Sequence, residues 1–236
     1  MTVFVDHLVL AASSLDAGIA HVEQLTGVEA VLGGAHPGMG THNALVALGD
    51  DVYLEIIAPD PEQAEPAGGR PFGVHPDTTV DLVSFAVRPG ADTTIDEVVA
   101  GSRSRGHDPG PIAAMSRHRP DGVELRWRLT MPPGAGGDLG IPFVIDWGNT
   151  PSPASTSPDG CELLELRVAH PDAERIGAVH ASLGLSVPVE EGARPSMEAV
   201  LTSPRGQVVL GGSAGCRRAG RPVSRRRSAR RTAVRP

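Results

Sequence analysis

The chain has 236 residues, 40% hydrophobic but only 3% aromatic, with a formal net charge of −7. That length suits one or two domains with a sizeable core, which Leu, Val, Ile and Ala must fill. All 21 basic residues are arginine, as GC-rich coding gives, and nine of them fall in residues 217–236, so the remaining body carries −16 and is not expected to take nucleic acid as its main partner. No run of 18 apolar residues and no basic-then-apolar leader occurs, so no membrane partner and a cytoplasmic location are expected. Cys161 and Cys216 lack metal-ligand spacing and imply no disulfide framework.

Residues 3–11 read as a strand ending at Ser13-Ser14. A helix follows to about residue 26, capped by Ser14 or Asp16, with Ile19, Val22 and Leu25 on one face and Gly27 as its stop. Residues 28–32 read as a strand and 33–40 as a Gly-rich loop. Residues 41–48 and 52–58 read as two strands about a turn at Gly49-Asp50-Asp51. The order is βαβββ, and it recurs with a strand at 80–87, a helix at 94–105, and strands at 111–116, 123–129 and 142–147. A third, weaker pass places a strand at 163–168, a helix at 172–183 ended by Gly184, and strands at 185–189, 197–202 and 207–210.

The fold class expected is α+β, built from repeated βαβββ modules. A paired domain spans 1–150, a Ser/Pro/Thr-rich linker 151–160, the third module 161–211 and an Arg-rich tail 212–236. The tail has no apolar periodicity and is expected to be disordered. It reads either as an anionic-surface arm or as an unselected extension. The third module leaves a sheet edge to cover, by docking on the first pair or by forming a homodimer.

Two short apolar strands each hold one metal-type ligand: His7 in Val5-Asp6-His7-Leu8-Val9-Leu10-Ala11, and Glu55 in Val52-Tyr53-Leu54-Glu55-Ile56-Ile57-Ala58. A buried carboxylate must be protonated, paired or bound to a cation. Alternation puts His7, Val9 and Ala11 on one face, and likewise Tyr53, Glu55 and Ile57, with Leu8, Leu10, Leu54 and Ile56 turned toward helices.

These strands, together with His36-Pro37-Gly38-Met39-Gly40-Thr41-His42-Asn43-Ala44-Leu45, Ser116-Arg117-His118-Arg119-Pro120-Asp121-Gly122, Trp127-Arg128-Leu129 and Pro142-Phe143-Val144-Ile145-Asp146-Trp147-Gly148, resemble the glyoxalase-like branch of the vicinal-oxygen-chelate superfamily. The resemblance implies two βαβββ modules curved into a barrel-like sheet around a cavity. It also implies a divalent metal (Zn, Ni, Mn or Fe) held by inward His and Glu side chains. Members include isomerases, epimerases, ring-cleaving dioxygenases and metal-free binding proteins, and fold does not choose among them.

Carried over, the metal ligands are His7, Glu55 and Asp146. The position matching His7 in the second module falls at Val83 or Ser84, and His42 or His118 are substitutes. Glu55 and Asp146 are the candidate catalytic carboxylates. Otherwise His7 is a hydrogen-bonded strand histidine, and Glu55 a carboxylate paired with Arg126 or Arg128.

Arg117, Arg119, Arg126 and Arg128 form either an anion clamp or a solvated sheet face with structural ion pairs. Asn43 orients substrate or bonds its turn, and Trp147 lines the pocket or belongs to the core. Two functions follow: a metal-dependent lyase, isomerase or dioxygenase acting on a small oxygenated metabolite, or a metal-free small-molecule binding or sequestration protein.

Overall fold

The computed structural model describes residues 2–119, 121–130 and 138–212, and the backbone of Arg217–Arg218. In chain order the elements are β1 (Val3–Ala11), α1 (Leu15–Thr26), β2 (Val31–His36), β3 (Thr41–Ala47), β4 (Tyr53–Pro59) and β5 (Asp81–Pro89). Then come α2 (Ile95–Ser104), β6 (Ile112–His118), β7 (Glu124–Thr130), β8 (Phe143–Asp146) and β9 (Glu162–His170). The chain ends with α3 (Ala173–Leu183), β10 (Val189–Glu191), β11 (Ser196–Thr202), β12 (Val208–Gly211) and β13 (Arg217–Arg218).

Each helix starts at a side-chain cap, and the first is Ser14, one of the two residues the sequence offered. The Ser14 hydroxyl accepts from the Ala17 amide, Thr94 and Glu97 form a reciprocal capping box, and the Asp172 carboxylate accepts from the Arg175 amide. Helices α1 and α3 end at left-handed glycines, Gly27 and Gly184.

The first eight strands form one sheet in the order β2-β3-β4-β1-β5-β8-β7-β6. In each half the first strand pairs in parallel with the last, β1 with β4 and β5 with β8, and the halves join through antiparallel β1 and β5. The two outer strands, β2 and β6, approach one another: Arg117 on β6 donates to the Gly33 carbonyl on β2, and the sheet curls nearly closed.

Strand alternation sorts the side chains as predicted. Leu8, Leu10, Leu54 and Ile56 enter a core shared with the helices, whereas Val9, Ala11 and Ile57 join Leu125, Trp127, Phe143 and Ile145 on the concave side. Helix α1 lies so close to β4 that a Cβ at Gly18 would overlap the Ile56 side chain. Gly18→Val should therefore cost about 1–3 kcal/mol by overpacking, read as a melting temperature several degrees lower; an unchanged melting temperature would show that the helix shifts freely.

Three boundaries differ from the sequence reading. The second strand starts at Val31 and continues through Gly33 and Gly34 to His36, where a loop was expected. A side chain at Gly33 would overlap the Asn43 amide, so here glycine serves close approach and not a turn. The strand expected at 185–189 is the three-residue β10, and Leu185 and Val187 instead pack into the core.

The third unit keeps the element order β-α-β-β-β but not the pairing. Its sheet runs β10-β9-β11-β12-β13, with β9 parallel to β10 and antiparallel to β11. It packs on the helix-bearing side: Ile176, Val179, Leu183, Met197, Leu201 and Leu210 share one core with Leu8, Ile56, Phe85 and Val98. Of the Arg-rich tail beyond Gly212, only the backbone of β13 is described, so the expectation of disorder and Cys216 lie outside the described residues.

Candidate functional site

A cavity of about 370 Å³ opens on the concave face of the curled sheet. Phe72, Trp127, Leu129, Phe143, Ile145 and Trp147 supply its apolar wall; His7, His36, Asn43, Tyr53, Glu55 and Arg117 gather at a polar end. The volume falls in the range of small-molecule sites. Gly68, Gly69, Pro71 and Phe72 of the β4–β5 connection also line the cavity, and Phe72 holds a left-handed φ of 58° while packing on Phe143 at 5.9 Å between ring centroids.

The polar end is built from β1 outward. Between Val5 and His7 the pairing with β5 slips by one residue, and Asp6 is the unpaired extra residue. Such a bulge re-aims a side chain. The Asp6 carboxylate thus reaches the ring of its own neighbour, with Asp6 Oδ1 2.7 Å from His7 Nδ1. It also accepts the Trp147 indole N–H at 3.3 Å. Because a carboxylate offers only acceptors, Nδ1 is the donor to Asp6, and Nε2 is the nitrogen turned to the cavity. Tyr53 stacks on the imidazole at 4.6 Å, Phe143 meets it edge-on at 5.4 Å, and His7 is 2% exposed.

His7 Nε2 faces Glu55 Oε2 at 3.5 Å, and His36 Nε2 faces Glu55 Oε1 at the same distance. Asn43 Nδ2 donates to Glu55 Oε1 at 2.6 Å and lies 3.1 Å from His36 Nε2, while His36 Nδ1 contacts the Thr41 hydroxyl at 3.0 Å. The Asn43 Oδ1 atom is buried and makes no hydrogen bond with the described residues.

Burial alone would raise the Glu55 pKa. His36, His7, the Asn43 hydrogen bond and Arg117 more than offset it, and hold the carboxyl below its usual range. Burial pushes the His36 pKa down, against the pull of Glu55. Burial, with Asp6 and Glu55 nearby, pushes the Tyr53 phenol well above its ordinary value, so it stays protonated and able to donate.

The residues proposed from sequence separate into two groups. His7, Asn43, Glu55, Arg117 and Trp147 come together at this cavity. Asp146 does not join them: on β8 the cavity-facing residues are Phe143 and Ile145, and Asp146 points the other way, into a shallow groove where it accepts from Arg128 at 3.3 Å. Arg126 pairs with Glu124, Arg128 also with Asp96, and Arg119 with Asp121, all outside the cavity. Those three arginines are the solvated, ion-paired face of the alternative reading, and neither Arg126 nor Arg128 is paired to Glu55. His118 is exposed and His42 does not line the cavity.

Sequence reasoning missed Asp6 and His36 as members of the site, and set Tyr53 on the inward face beside Glu55 either as pocket lining or as core. Strict alternation assigned Asp6 to the opposite face; the one available signal was an acidic residue directly beside His7 in an apolar strand.

Among the described residues, no three His, Cys, Asp or Glu side chains are set to hold a metal ion. His7 and Glu55 have suitable donor atoms, but the His36 nitrogen is engaged by Asn43 and Asp146 lies elsewhere. A structural or catalytic metal takes three or four protein ligands, so the side chains as placed do not complete a set.

A curled sheet of paired βαβββ halves around a cavity defines a protein of the vicinal-oxygen-chelate fold. Residues 5–184 match the glyoxalase-like domain family, and the chain belongs to that family. Among solved structures, a hypothetical protein from Staphylococcus aureus is 15% identical with a TM-score of 0.57, over 89% of this chain and 85% of that one. Methylmalonyl-CoA epimerase from Mycobacterium tuberculosis is 19% identical with a TM-score of 0.37, over 60% and 84%. A Streptomyces coelicolor methylmalonyl-CoA epimerase variant in complex with 2-nitronate-propionyl-CoA is 17% identical with a TM-score of 0.39, over 65% and 100%. The first of these likenesses, at 15% identity, bears on the fold alone. No curated protein matches the sequence. No helix among the described residues is long and apolar enough to cross a membrane.

Proposed function

We propose that the cavity is the active site of an isomerase- or lyase-type enzyme that moves a proton on a small, oxygenated, largely apolar metabolite. The observation that carries this reading is the buried Asp6–His7 pair, which engages Nδ1 and turns Nε2 to the cavity beside Glu55, whose carboxyl is held below its usual range. In the step envisaged, a C–H bond next to a substrate carbonyl breaks. The proton passes to His7 Nε2, and the electron pair moves onto the carbonyl oxygen as an enolate. The imidazolium so formed sits between two carboxylates, Asp6 and Glu55, which stabilise it; the Tyr53 hydroxyl is the donor available to the enolate oxygen. Return of the proton to another position or face gives isomerisation, and expulsion of a leaving group gives a lyase reaction. Positioned general bases contribute about 10²–10⁴ in rate.

A second reading also rests on Asp6. A carboxylate bonded to the far nitrogen is how metal-ligating histidines are oriented. In that reading His7 and Glu55 would be ligands to Zn, Ni, Mn or Fe, with His36 as the third once Asn43 swings aside, and the metal would supply polarisation of substrate oxygens.

The test is deuterium exchange at carbon, followed by NMR in D₂O, with a panel of small 2-oxo acids, β-keto acids and aryl ketones. Protein stripped of metal by chelation should catalyse exchange, and His7→Ala should lose about 10²–10⁴ of it. Exchange that appears only after adding Zn, Ni, Mn or Fe(II), and vanishes in Glu55→Ala, would favour the metal reading. Ligand binding without exchange under either condition would make the protein a binding or sequestration protein.

A further inference from the structure

Arg117 stands apart from the other arginines of the curled sheet. It is 3% exposed, whereas Arg119, Arg126 and Arg128 reach solvent and each has a carboxylate partner. Among the described residues Arg117 has no carboxylate within salt-bridge distance, and its hydrogen bond is to the Gly33 carbonyl. A guanidinium has five N–H donors in a fixed fork. The Gly33 carbonyl takes one, and the others make no hydrogen bond with the described residues although Arg117 lines the cavity. A buried cation without an ion partner is strongly unfavourable, so a site of this kind is completed by an anion. Burial presses the Arg117 pKa downward, opposed by Glu55 and Tyr53. The backbone is shaped to admit the group: a Cβ on Gly33 or Gly34 would lie 3.3–3.4 Å from the guanidinium nitrogens.

The wall beyond is apolar and aromatic, with Phe72, Trp127, Phe143 and Trp147. The rest of the polar end is acidic, with Asp6 and Glu55, which disfavours a second negative charge. We infer that the ligand is a small monocarboxylate with an apolar or aromatic body, its carboxylate held by the free edge of the Arg117 guanidinium and its body against the aromatic wall. This inference rests on the cavity being the ligand site, and it names the substrate class for the proposed proton transfer.

The chain has two tryptophans, Trp127 and Trp147, and both line the cavity, so intrinsic fluorescence reports occupancy. The full chain is titrated with 3-phenylpropionate, with its neutral counterpart 3-phenylpropanamide, and with phenyl phosphate. The carboxylate should bind at least about 10-fold tighter than the amide, as a charge-assisted fork predicts, and also tighter than the phosphate. Arg117→Gln should bring the carboxylate down to the level of the amide. Because Arg117 also ties β6 to β2, the variant's fold is checked by circular dichroism, and the wild-type comparison decides the matter even if the variant fails to fold. Equal binding of carboxylate and amide by the wild type, or a preference that survives in Arg117→Gln, would overturn the inference and leave the proton-transfer reading intact. No response to any of the three probes would overturn both. Tightest binding of the phosphate would overturn the assignment to a monocarboxylate.

Discussion

Asp6→Asn should reduce proton-transfer turnover by about 10²–10⁴, close to the loss from removing a general base outright, while the protein still folds. The reason lies in donor counting. Asp6 accepts from two donors at once, the His7 Nδ1–H and the Trp147 indole N–H. An asparagine has one acceptor atom and one donor group. If its oxygen keeps His7, its amide nitrogen confronts the indole N–H. If its oxygen turns to Trp147, its amide donates to His7 Nδ1 and drives the ring to the other tautomer, with a proton on Nε2 where the lone pair is needed. The measurement is the deuterium-exchange rate of the variant against the wild type, with thermal unfolding as the control for folding. Undiminished exchange would mean that Asp6 is only a structural partner of Trp147.

The second large effect concerns Asn43. Its amide donates to Glu55 at 2.6 Å, a hydrogen bond to a buried charge, and such bonds contribute about 1.5–3 kcal/mol. Asn43→Ala should lower unfolding free energy by that order near pH 8, measured by chemical denaturation.

The pH dependence should change as well. Glu55 titrates in the folded protein below its unfolded value, so its stabilisation is complete above the ordinary carboxylate range and is lost as pH falls through the folded pKa. Without the Asn43 donor the folded pKa rises, and the acid loss of the variant should begin at higher pH. His36 acts earlier in the same direction. Its folded pKa lies below 6.5, so the unfolded chain takes up the proton first and stability declines as pH drops below that value. Wild-type stability should therefore fall in two stages on acidification, the first removed in His36→Gln. Parallel pH curves for wild type and Asn43→Ala would contradict the role given to the amide.

Much of this was legible in the chain because the signals were periodic and local. The alternation around His7 and Glu55 placed both on the concave face, and the cap at Ser14 located its helix. What the sequence did not disclose depends on register and on distant contacts. The slip at Asp6 breaks alternation by one residue and converts a nominally outward acid into the partner of His7. Gly33 and Gly34 carry the mark of a loop, yet they are strand residues because Asn43 and Arg117 press against them. Asp146 was assigned by analogy between the two halves, but one step along a strand reverses the face, and Asp146 is on the wrong step. The four arginines look alike in sequence. Only the closure of the sheet separates Arg117, buried against β2, from the ion-paired others.

The central claim is the state of His7: a proton on Nδ1 held by Asp6, and a free Nε2 facing the cavity. It is tested most directly by long-range proton–nitrogen correlation NMR of ¹⁵N-histidine protein at pH 8, after metal removal, with the His7 signal assigned by its loss in His7→Gln. The account predicts that His7 is the neutral Nδ1–H tautomer, that Asp6→Asn shifts it toward Nε2–H, and that a bound carboxylate perturbs its Nε2 signal. A wild-type His7 carrying its proton on Nε2, or one indifferent to Asp6→Asn, would contradict it.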